Sequence, residues 1–372
     1  MKPSLTSRNI LSLLSIILFS SETFALDHIV RPYQSARSAA MGNVRYTTGL
    51  YDENFFGNPA RAVDNPKWRV DLLNFLVEAN TGLLGNVDSF TKAGDRVENI
   101  ASTAGENNHV RVQAVLPAVY VPHMFSEKHS MAFGLISSTQ ADISLRKNYS
   151  VDPVAVTDLG PAVTYARRMN EHLTLGITGH YIYRMSTNQT FSTIDYIKGK
   201  NLSAKDAAGQ GTKIDFDLGL TQKIPWNPRS WKLLAAFATN NVIGQDFGSG
   251  GLKLSKSVTA TPMKQPRTYN FGVSGTKEGL LKSNYLTTAF ELTDIGNNPN
   301  GSLFRVVHMG AEMNYWDWLN LRAGLNQGYL AAGFGFNLPL FKLDFATYGE
   351  EMSLNVGGQE DRRYTVRIGL SI

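Results

Sequence analysis

The 372-residue sequence contains no cysteine, so disulfide bonds cannot stabilise it. An exported domain of this size without disulfides must be held together by its core or by a closed network of hydrogen bonds. After residue 25 the sequence also lacks any apolar run of the roughly twenty residues that a membrane-spanning helix needs. Charged residues make up only 18% of the chain, and no basic stripe is interleaved with aromatic residues. Nucleic-acid binding is therefore not expected.

The first residues have the features of an export signal. Lys2 and Arg8 form a short basic region, and residues 10–19 follow as an apolar run too short to span a bilayer. Thr23-Phe24-Ala25 then provides a signal-peptidase site. We expect residues 1–25 to be a signal peptide; the alternative is an N-terminal membrane anchor.

The rest of the sequence alternates between apolar and polar residues. Near the C-terminus, Leu319, Leu321, Ala323 and Leu325 alternate with Asn320, Arg322, Gly324 and Asn326. A strand that separates lipid from a wet lumen needs this period of two over segments of about ten residues. Such segments predict about fourteen strands, near 68–78, 110–122, 129–147, 157–168, 172–189, 212–223, 231–243, 267–276, 284–294, 303–315, 318–326, 329–338, 341–349 and 362–372.

A β-sandwich with its apolar face turned inward would show the same alternation, but two one-sided features favour a barrel. Connections on the predicted outer side are long, as at 79–109, 190–211 and 244–266, with Gln327-Gly328 as the one short exception, whereas periplasmic connections are tight. The tryptophans all fall on the predicted periplasmic side, as in an aromatic girdle: Trp68, Trp226, Trp231, Trp316 and Trp318. The predicted fold class is all-β, a transmembrane antiparallel β-barrel of about fourteen strands formed by residues 67–372.

Residues 26–66 precede the first strand and do not alternate. They show mixed helix and turn signals and include Phe55-Phe56 and Asn58-Pro59-Ala60. A fourteen-strand barrel is wide enough that its lumen must be filled or lined. We expect residues 26–66 to form an N-terminal plug, or hatch, in the lumen; the alternative is a periplasmic extension.

Taken together, these features resemble the long-chain fatty-acid transporter (FadL-like) superfamily of outer-membrane barrels. Some short segments are more similar to a branch labelled conjugal-transfer TraF-like: Thr157-Asp158-Leu159-Gly160-Pro161-Ala162, Leu218-Gly219-Leu220, Asn240-Asn241-Val242-Ile243-Gly244-Gln245-Asp246-Phe247 and Leu321-Arg322-Ala323-Gly324-Leu325. The chain departs from the family in ending on Ile372 instead of an aromatic residue, and in having no long apolar groove in the hatch.

The resemblance implies a monomer in the outer membrane of a Gram-negative bacterium, surrounded by outer-membrane lipid and inserted by the barrel-assembly machinery. It further implies a hatch that shifts and lets a hydrophobic small-molecule ligand leave sideways through the wall. The candidate plug and gate residues are Phe55, Phe56, Asn58, Pro59 and Ala60.

Charged residues on the predicted inner face are the candidate lumen-lining groups: Glu291, His308, Glu312, Arg322, Asp344 and Arg367. A tight turn centred on Asp317 would place Glu312 opposite Arg322 as an ion pair. Gly333, next to Arg322, would then leave room for the guanidinium group. These charges either hold the wall and plug in register or line a permeation path.

No pattern in the sequence indicates catalysis. His180 and His308 are candidate bases, yet no serine has the setting of a hydrolase. The remaining histidines are scattered, and no carboxylate cluster has the spacing of metal ligands. We therefore expect no enzyme activity, no catalytic residues, no metal and no cofactor.

Two functions fit these features. The first is a passive transporter or channel for small hydrophobic molecules, gated by the N-terminal plug. The second is a structural or assembly component of a secretion or conjugal-transfer apparatus, with no transport role; a lipid-modifying enzyme is a third alternative. A continuous apolar tunnel would favour transport, and a lumen sealed by charged side chains would count against it.

Overall fold

In a computed structural model, the chain forms a closed antiparallel β-barrel of fourteen strands, as predicted. The structure describes residues 30–85, 107–145, 150–187, 191–192, 208–249, 251, 253–254, 258–296, 303–353 and 357–372. The predicted signal peptide and residues 26–29 of the predicted plug lie outside the described residues.

Each strand pairs antiparallel with its neighbours around the barrel, and pairing of β1 with β15 closes the sheet. The strands are β1 (Arg69–Asn80), β2 (Asn107–Pro122), β3 (His129–Leu145), β4 (Ser150–Arg168), β5 (Leu173–Thr187), β6 (Phe191–Ser192), β7 (Ala208–Ile224), β8 (Lys232–Asn240), β9 (Thr268–Glu278), β10 (Tyr285–Ile295), β11 (Val307–Tyr315), β12 (Leu319–Asn326), β13 (Tyr329–Asn337), β14 (Phe341–Glu351) and β15 (Glu360–Ser371). Strand β6 is a two-residue extension that pairs with the start of β4, so it adds no barrel strand.

The helices are short. They are α1 (Ala36–Ala40), α2 (Leu303–Val306), a helical turn at 81–85, and 3-10 helices at Tyr51–Asn54, Pro59–Asp64, Pro228–Ser230 and Leu280–Lys282. Among the described residues, no helix has both the length and the apolar character needed to cross a membrane.

Two predicted strand starts are wrong. Residues 303–306 form helix α2, so β11 begins at Val307 and not near 303. Strand β4 begins at Ser150, and not near 157, because its first residues continue the ladder with β3, where Leu145 pairs with Val151. The outer connection between β3 and β4 is therefore only residues 146–149. The rule that outer connections are long therefore has a second exception, in addition to Gln327-Gly328.

The alternation along each strand separates an apolar outer face from a polar inner face. On β12, the Leu321 side chain is 46% exposed, whereas the neighbouring residue Arg322 is only 6% exposed. A water-soluble protein would reverse these two environments, because exposed leucine and buried arginine are both unfavourable in water. The outer face therefore has the character of a lipid-facing surface.

The five tryptophans lie at one end of the barrel, here called the tryptophan end. Trp316 stacks on Trp318 with ring centroids 5.7 Å apart, and Trp318 stacks on Phe336 at 5.9 Å. The last residue, Ile372, pairs with Val70 at this same end. The opposite end, which carries the long connections, is called the loop end.

Residues 30–66, here called the N-terminal segment, lie inside the closed sheet. Helix α1 contacts β12, β13, β14 and β15, while the 3-10 helix Pro59–Asp64 contacts β2, β3, β4, β5 and β7. Because these two groups of strands lie on opposite sides of the barrel, the segment must cross the lumen between them.

The connection after β8 also folds inward at the loop end. Its described residues form isolated bridges with β7, where Thr212 pairs with Gly248 and Gly209 with Ala260. Phe247 of this connection is buried, and its ring lies 4.9 Å from the Arg184 guanidinium carbon. The connection therefore covers part of the barrel mouth.

Candidate functional site

Ion pairs connect the N-terminal segment to the wall in one continuous circuit. The two ends of the circuit, Asp52 and Glu53, are consecutive residues of the 3-10 helix Tyr51–Asn54, so the circuit closes on itself. We call it the ion-pair ring; its members in order are Glu53, Arg37, Glu312, Arg322, Asp344, Arg367 and Asp52.

The distances in the ring are those of direct ion pairs. Arg37 bridges the two carboxylates of Glu53 and Glu312, with a nitrogen–oxygen distance of 2.9 Å to each. Arg322 bridges Glu312 at 2.6 Å and Asp344 at 2.7 Å. Arg367 then joins Asp344 at 3.1 Å to Asp52 at 3.5 Å. Every wall charge in the ring therefore has an opposite charge on each side.

The register of the strands produces the wall part of the ring. Glu312 pairs directly with Arg322, and Asp344 pairs with Arg367, so each ion pair joins neighbouring strands. The predicted Glu312–Arg322 pair is confirmed. The predicted role of Gly333 is wrong: a Cβ there would clash with Ala40, whereas the Arg322 guanidinium lies over Gly335.

Asp52 is held in the charged form. Its Oδ2 atom accepts hydrogen bonds from the Tyr33 hydroxyl and the Asn74 amide, both at 2.8 Å. Burial alone would raise the pKa of Asp52, but Arg367 and Arg69 outweigh this effect and hold the pKa below its usual value of 3.8.

Glu291 binds the backbone of the N-terminal segment. Its carboxylate accepts from the N–H groups of Arg45 at 2.9 Å, Tyr46 at 3.1 Å and Thr47 at 2.7 Å, and from the Thr47 hydroxyl at 2.7 Å. On the adjacent strand, the Nδ1 atom of His308 lies 2.8 Å from the Gly42 carbonyl oxygen, which identifies Nδ1 as the donor. Both side chains are occupied in holding the segment.

Two cross-strand glycine pairs let the segment touch the wall backbone. Gly176 of β5 pairs with Gly219 of β7, and Gly310 of β11 pairs with Gly324 of β12. A Cβ at Gly176 or Gly219 would come within 3.0 Å of the Asn58-Pro59-Ala60 motif, and one at Gly310 or Gly324 would come within 3.0 Å of Met41. The wall therefore has two recesses shaped to the segment, one on each side of the lumen.

On the side facing β2 to β5, the segment packs through apolar contacts. We call this cluster the apolar patch; it comprises Tyr33, Tyr51, Phe55 and Phe56 of the segment together with Val115, Ala118, Tyr120, Ala132, Ile136, Ala162, Ile182 and Phe247. The neighbouring wall is irregular. The pairing register of β2 with β3 shifts between Val115 and Ala118, and Pro117 and Pro161 cannot donate to the ladder.

The lumen is filled. Among the described residues, the two best-defined cavities have volumes of only about 30 Å³ and about 10 Å³. A water needs roughly 10–15 Å³, whereas benzene occupies a cavity of about 150 Å³. Neither of these two cavities can therefore hold a benzene-sized molecule in this arrangement.

The structure places the sequence-predicted residues in three groups. Glu312, Arg322, Asp344 and Arg367 belong to the ion-pair ring, while Glu291 and His308 bind the segment backbone. Phe55 and Phe56 lie in the apolar patch, and Asn58-Pro59-Ala60 lies over the pair Gly176–Gly219.

Sequence reasoning missed several charged residues inside the lumen. Arg37, Asp52 and Glu53 lie in the non-periodic segment, where no face can be assigned. His109, set aside as scattered, is fully buried between Glu78 at 2.9 Å and Asp142 at 2.6 Å. The alternation along β1, β2 and β3 could have placed these three on the inner face. Among the described residues, no group of three or more metal-binding side chains has the arrangement to hold a metal ion.

A closed barrel with a lipid-like outer face, a polar interior and an aromatic rim is the architecture of outer-membrane β-barrels. No protein-family model matches the chain, and no curated protein matches it.

Among solved structures, the fold is similar to the CymD monoaromatic hydrocarbon channel, with a TM-score of 0.51 and 12% identity over 90% of this chain and 96% of that chain. It is also similar to the deltaS2S3 mutant of the TodX monoaromatic hydrocarbon channel, with a TM-score of 0.52 and 11% identity over 91% of this chain and 98% of that one. Both neighbours are monoaromatic hydrocarbon channels. At such identities the likeness is one of fold.

Proposed function

We propose that the chain is a FadL-like outer-membrane transporter that passes small hydrophobic molecules passively, and that residues 26–66 are its plug. The apolar outer face and the fold of the hydrocarbon channels support the placement in the outer membrane of a Gram-negative bacterium. The recesses at Gly176–Gly219 and Gly310–Gly324 support the plug, because the wall is shaped around the segment.

The observation that carries the transport proposal is the position of the apolar patch. Phe55 and Phe56 lie in the patch, which adjoins the part of the wall where Pro117 and Pro161 interrupt hydrogen bonding. Separating strands costs least where ladder hydrogen bonds are already missing. A hydrophobic molecule would move along the patch and leave through this part of the wall.

In this proposal the structure represents the closed state. The ion-pair ring fixes the plug to β11, β12, β14 and β15, and passage requires the opposite side of the plug to move away from β2, β3 and β4. Besides apolar contacts, this side carries the partly exposed Arg168–Asp64 pair and a hydrogen bond from Ser130 to the Ala62 carbonyl. Breaking a partly exposed pair costs less than breaking the buried ring, so this side costs less to open.

A second candidate function is supported by the same ring. A lumen sealed by paired charges suits a structural or assembly component, such as a member of the TraF-like branch, in which the plug never moves. In that case the large connections at the loop end would contact partner proteins.

Uptake measurements separate the two candidates. The full-length purified barrel would be placed in vesicles with a lipopolysaccharide outer leaflet, because plain phospholipid bilayers pass small hydrocarbons unaided. We expect saturable uptake of toluene that exceeds uptake by protein-free vesicles. Uptake equal to the protein-free control would reject transport and leave the structural role.

The membrane placement has a separate test. Purified in detergent, the protein should migrate differently on a gel before and after heating, and its circular dichroism should be that of a β-rich protein. A folded monomer that stays in solution without detergent would contradict the barrel's proposed location.

A further inference from the structure

The larger cavity lies where three parts of the molecule meet. It is bounded by the N-terminal segment, by the wall near β7 and β8, and by the inward-folded connection 241–267. The lining that matters here consists of Tyr33, Arg45, Tyr46, Phe56, Asn241 and Gln265.

Three polar atoms of this lining are buried and have no hydrogen-bond partner among the described residues: Arg45 Nε, Asn241 Oδ1 and Gln265 Oε1. The three residues are only 6%, 5% and 7% exposed, respectively. Leaving a buried polar group unpaired is unfavourable, because it loses its hydrogen bonds to water and gains none in return. Three at one small cavity therefore indicate an occupant that hydrogen-bonds to them.

The chemistry of the three atoms defines the polar part of the occupant. Arg45 Nε is a donor, whereas the amide oxygens of Asn241 and Gln265 are acceptors. A hydroxyl group both accepts and donates, so it can satisfy Arg45 and one amide oxygen together. A carboxylate only accepts, so it could satisfy Arg45 but neither amide oxygen. A plain hydrocarbon satisfies none of the three atoms.

The aromatic side of the cavity defines the apolar part of the occupant. The Tyr33 and Phe56 rings are stacked with centroids 6.0 Å apart, and the Tyr46 ring completes this side. Aromatic rings favour an aromatic partner in stacked or edge geometry. The occupant therefore combines an aromatic body with one hydroxyl group.

We propose that this cavity is a recognition site for a small phenol or aromatic alcohol, whose hydroxyl accepts from Arg45 and donates to Gln265. The proposal rests on the proposed transport function and narrows its substrate class. The volume of about 30 Å³ accommodates the hydroxyl group in the closed state. The ring enters when residues 263–266 move outward, which breaks the Met263–Ser186 hydrogen bond of 2.7 Å and the Asn241–Pro266 hydrogen bond of 3.1 Å.

The test compares two probes that differ only by the hydroxyl group. Binding of phenol and of benzene to the detergent-solubilised full-length chain would be measured by calorimetry. We expect phenol to bind at least about tenfold more tightly, the ratio that one satisfied buried hydrogen bond produces. Gln265→Leu should remove most of this preference and leave benzene binding unchanged. Gln359→Leu, the same change at an exposed position, should have no effect.

Each other outcome overturns the site. Phenol and benzene could bind equally, or the preference for phenol could survive Gln265→Leu. Either result would mean that these atoms do not recognise a hydroxyl group. A crystal structure from phenol-soaked crystals that shows only water at Arg45 and Gln265 would mean that the unpaired atoms are merely hydrated. Toluene uptake with no phenol preference would reject this site alone, whereas phenol binding without any uptake would reject only transport.

Discussion

The two sides of the N-terminal segment hold the wall by different forces. Towards β11, β12, β14 and β15, Arg37, Asp52 and Glu53 engage paired charges at fixed distances. Towards β2 to β5, Phe55 and Phe56 make apolar contacts that have no fixed direction. Ion pairs lose most of their energy when displaced, whereas apolar surfaces can slide and stay in contact. The charged side is therefore suited to anchoring, and the apolar side to moving.

Removing a charge that anchors the segment in the ion-pair ring should reduce the stability of the segment most. Arg37→Met leaves Glu53 without its cation and weakens the pairing of Glu312, because Arg37 bridges both. We expect the free energy of local opening of residues 36–54 to fall by about 3 kcal/mol. Native-state hydrogen exchange measures this quantity, and planar-bilayer recordings should show added conductance.

The matched control is Arg61→Met on the same segment. Arg61 pairs with Asp64 three residues away, and both are partly exposed. Its partner Asp64 is less buried than Glu53 and Glu312 and keeps Arg168 as a second cation, so the loss should be at most about 1 kcal/mol. Equal effects of the two substitutions would show that the ion-pair ring does not anchor the segment.

The next largest effect should come from filling a recess. A methyl group at Gly219 would meet the Asn58 side chain and Pro59 at under 3.0 Å. Gly219→Ala should destabilise the seating of residues 58–60 by about 1–3 kcal/mol, as overpacking does elsewhere. Protease protection of the segment measures seating. Gly369→Ala is the control, because its Cβ would have 3.5 Å of clearance; protection lost to the same degree in both variants would contradict the recess.

A smaller, local effect is expected at Glu291. Glu291→Gln keeps the shape but replaces one oxygen with a donor, so at least one N–H of residues 45–47 loses its acceptor. The amides of these residues should exchange faster, by about 1–2 kcal/mol of local opening. Unchanged exchange at residues 45–47 would mean that the backbone of this turn is held by its other contacts.

A substitution on the apolar side should reduce the stability of the protein least and change toluene uptake most. Phe55→Leu removes ring contacts with Tyr120 but leaves no unpaired polar group. We expect a loss of no more than about 1.5 kcal/mol, with a measurable change in toluene uptake. Lower stability with unchanged uptake would place the hydrophobic route elsewhere.

Acidification to pH 5 should leave the contacts of Asp52 with the wall intact. The pKa of Asp52 lies below its usual 3.8, so its contribution to seating is fully present above about pH 4 and disappears only as pH falls through the lowered value. Any rise in conductance that comes from protonation of Asp52 should therefore appear only in stronger acid than about pH 4. A rise between pH 7 and pH 5 would point to a group other than Asp52.

The wall could be predicted from the sequence much better than the lumen. Strand positions, the tryptophan end and the Glu312–Arg322 pair follow from a period of two and a tight turn, which are local properties. The partners of Arg37 could not be predicted, because Glu312 lies 275 residues away and the segment has no periodicity to orient its side chains. Gly333 and Gly335 face the same side of β13, and only the position of Ala40 shows which of them accommodates Arg322.

The paired glycines also divide the cross-section of the barrel. At Gly176–Gly219 and at Gly310–Gly324, peptide groups of the segment lie directly against peptide groups of the wall. No molecule can pass between two backbones in contact, so these two sectors are closed as long as the segment is seated. Any traffic must use the arcs between them. The wall residues of the apolar patch border one arc and the proposed hydroxyl site faces the other, while Tyr33 and Phe56 of the segment belong to both.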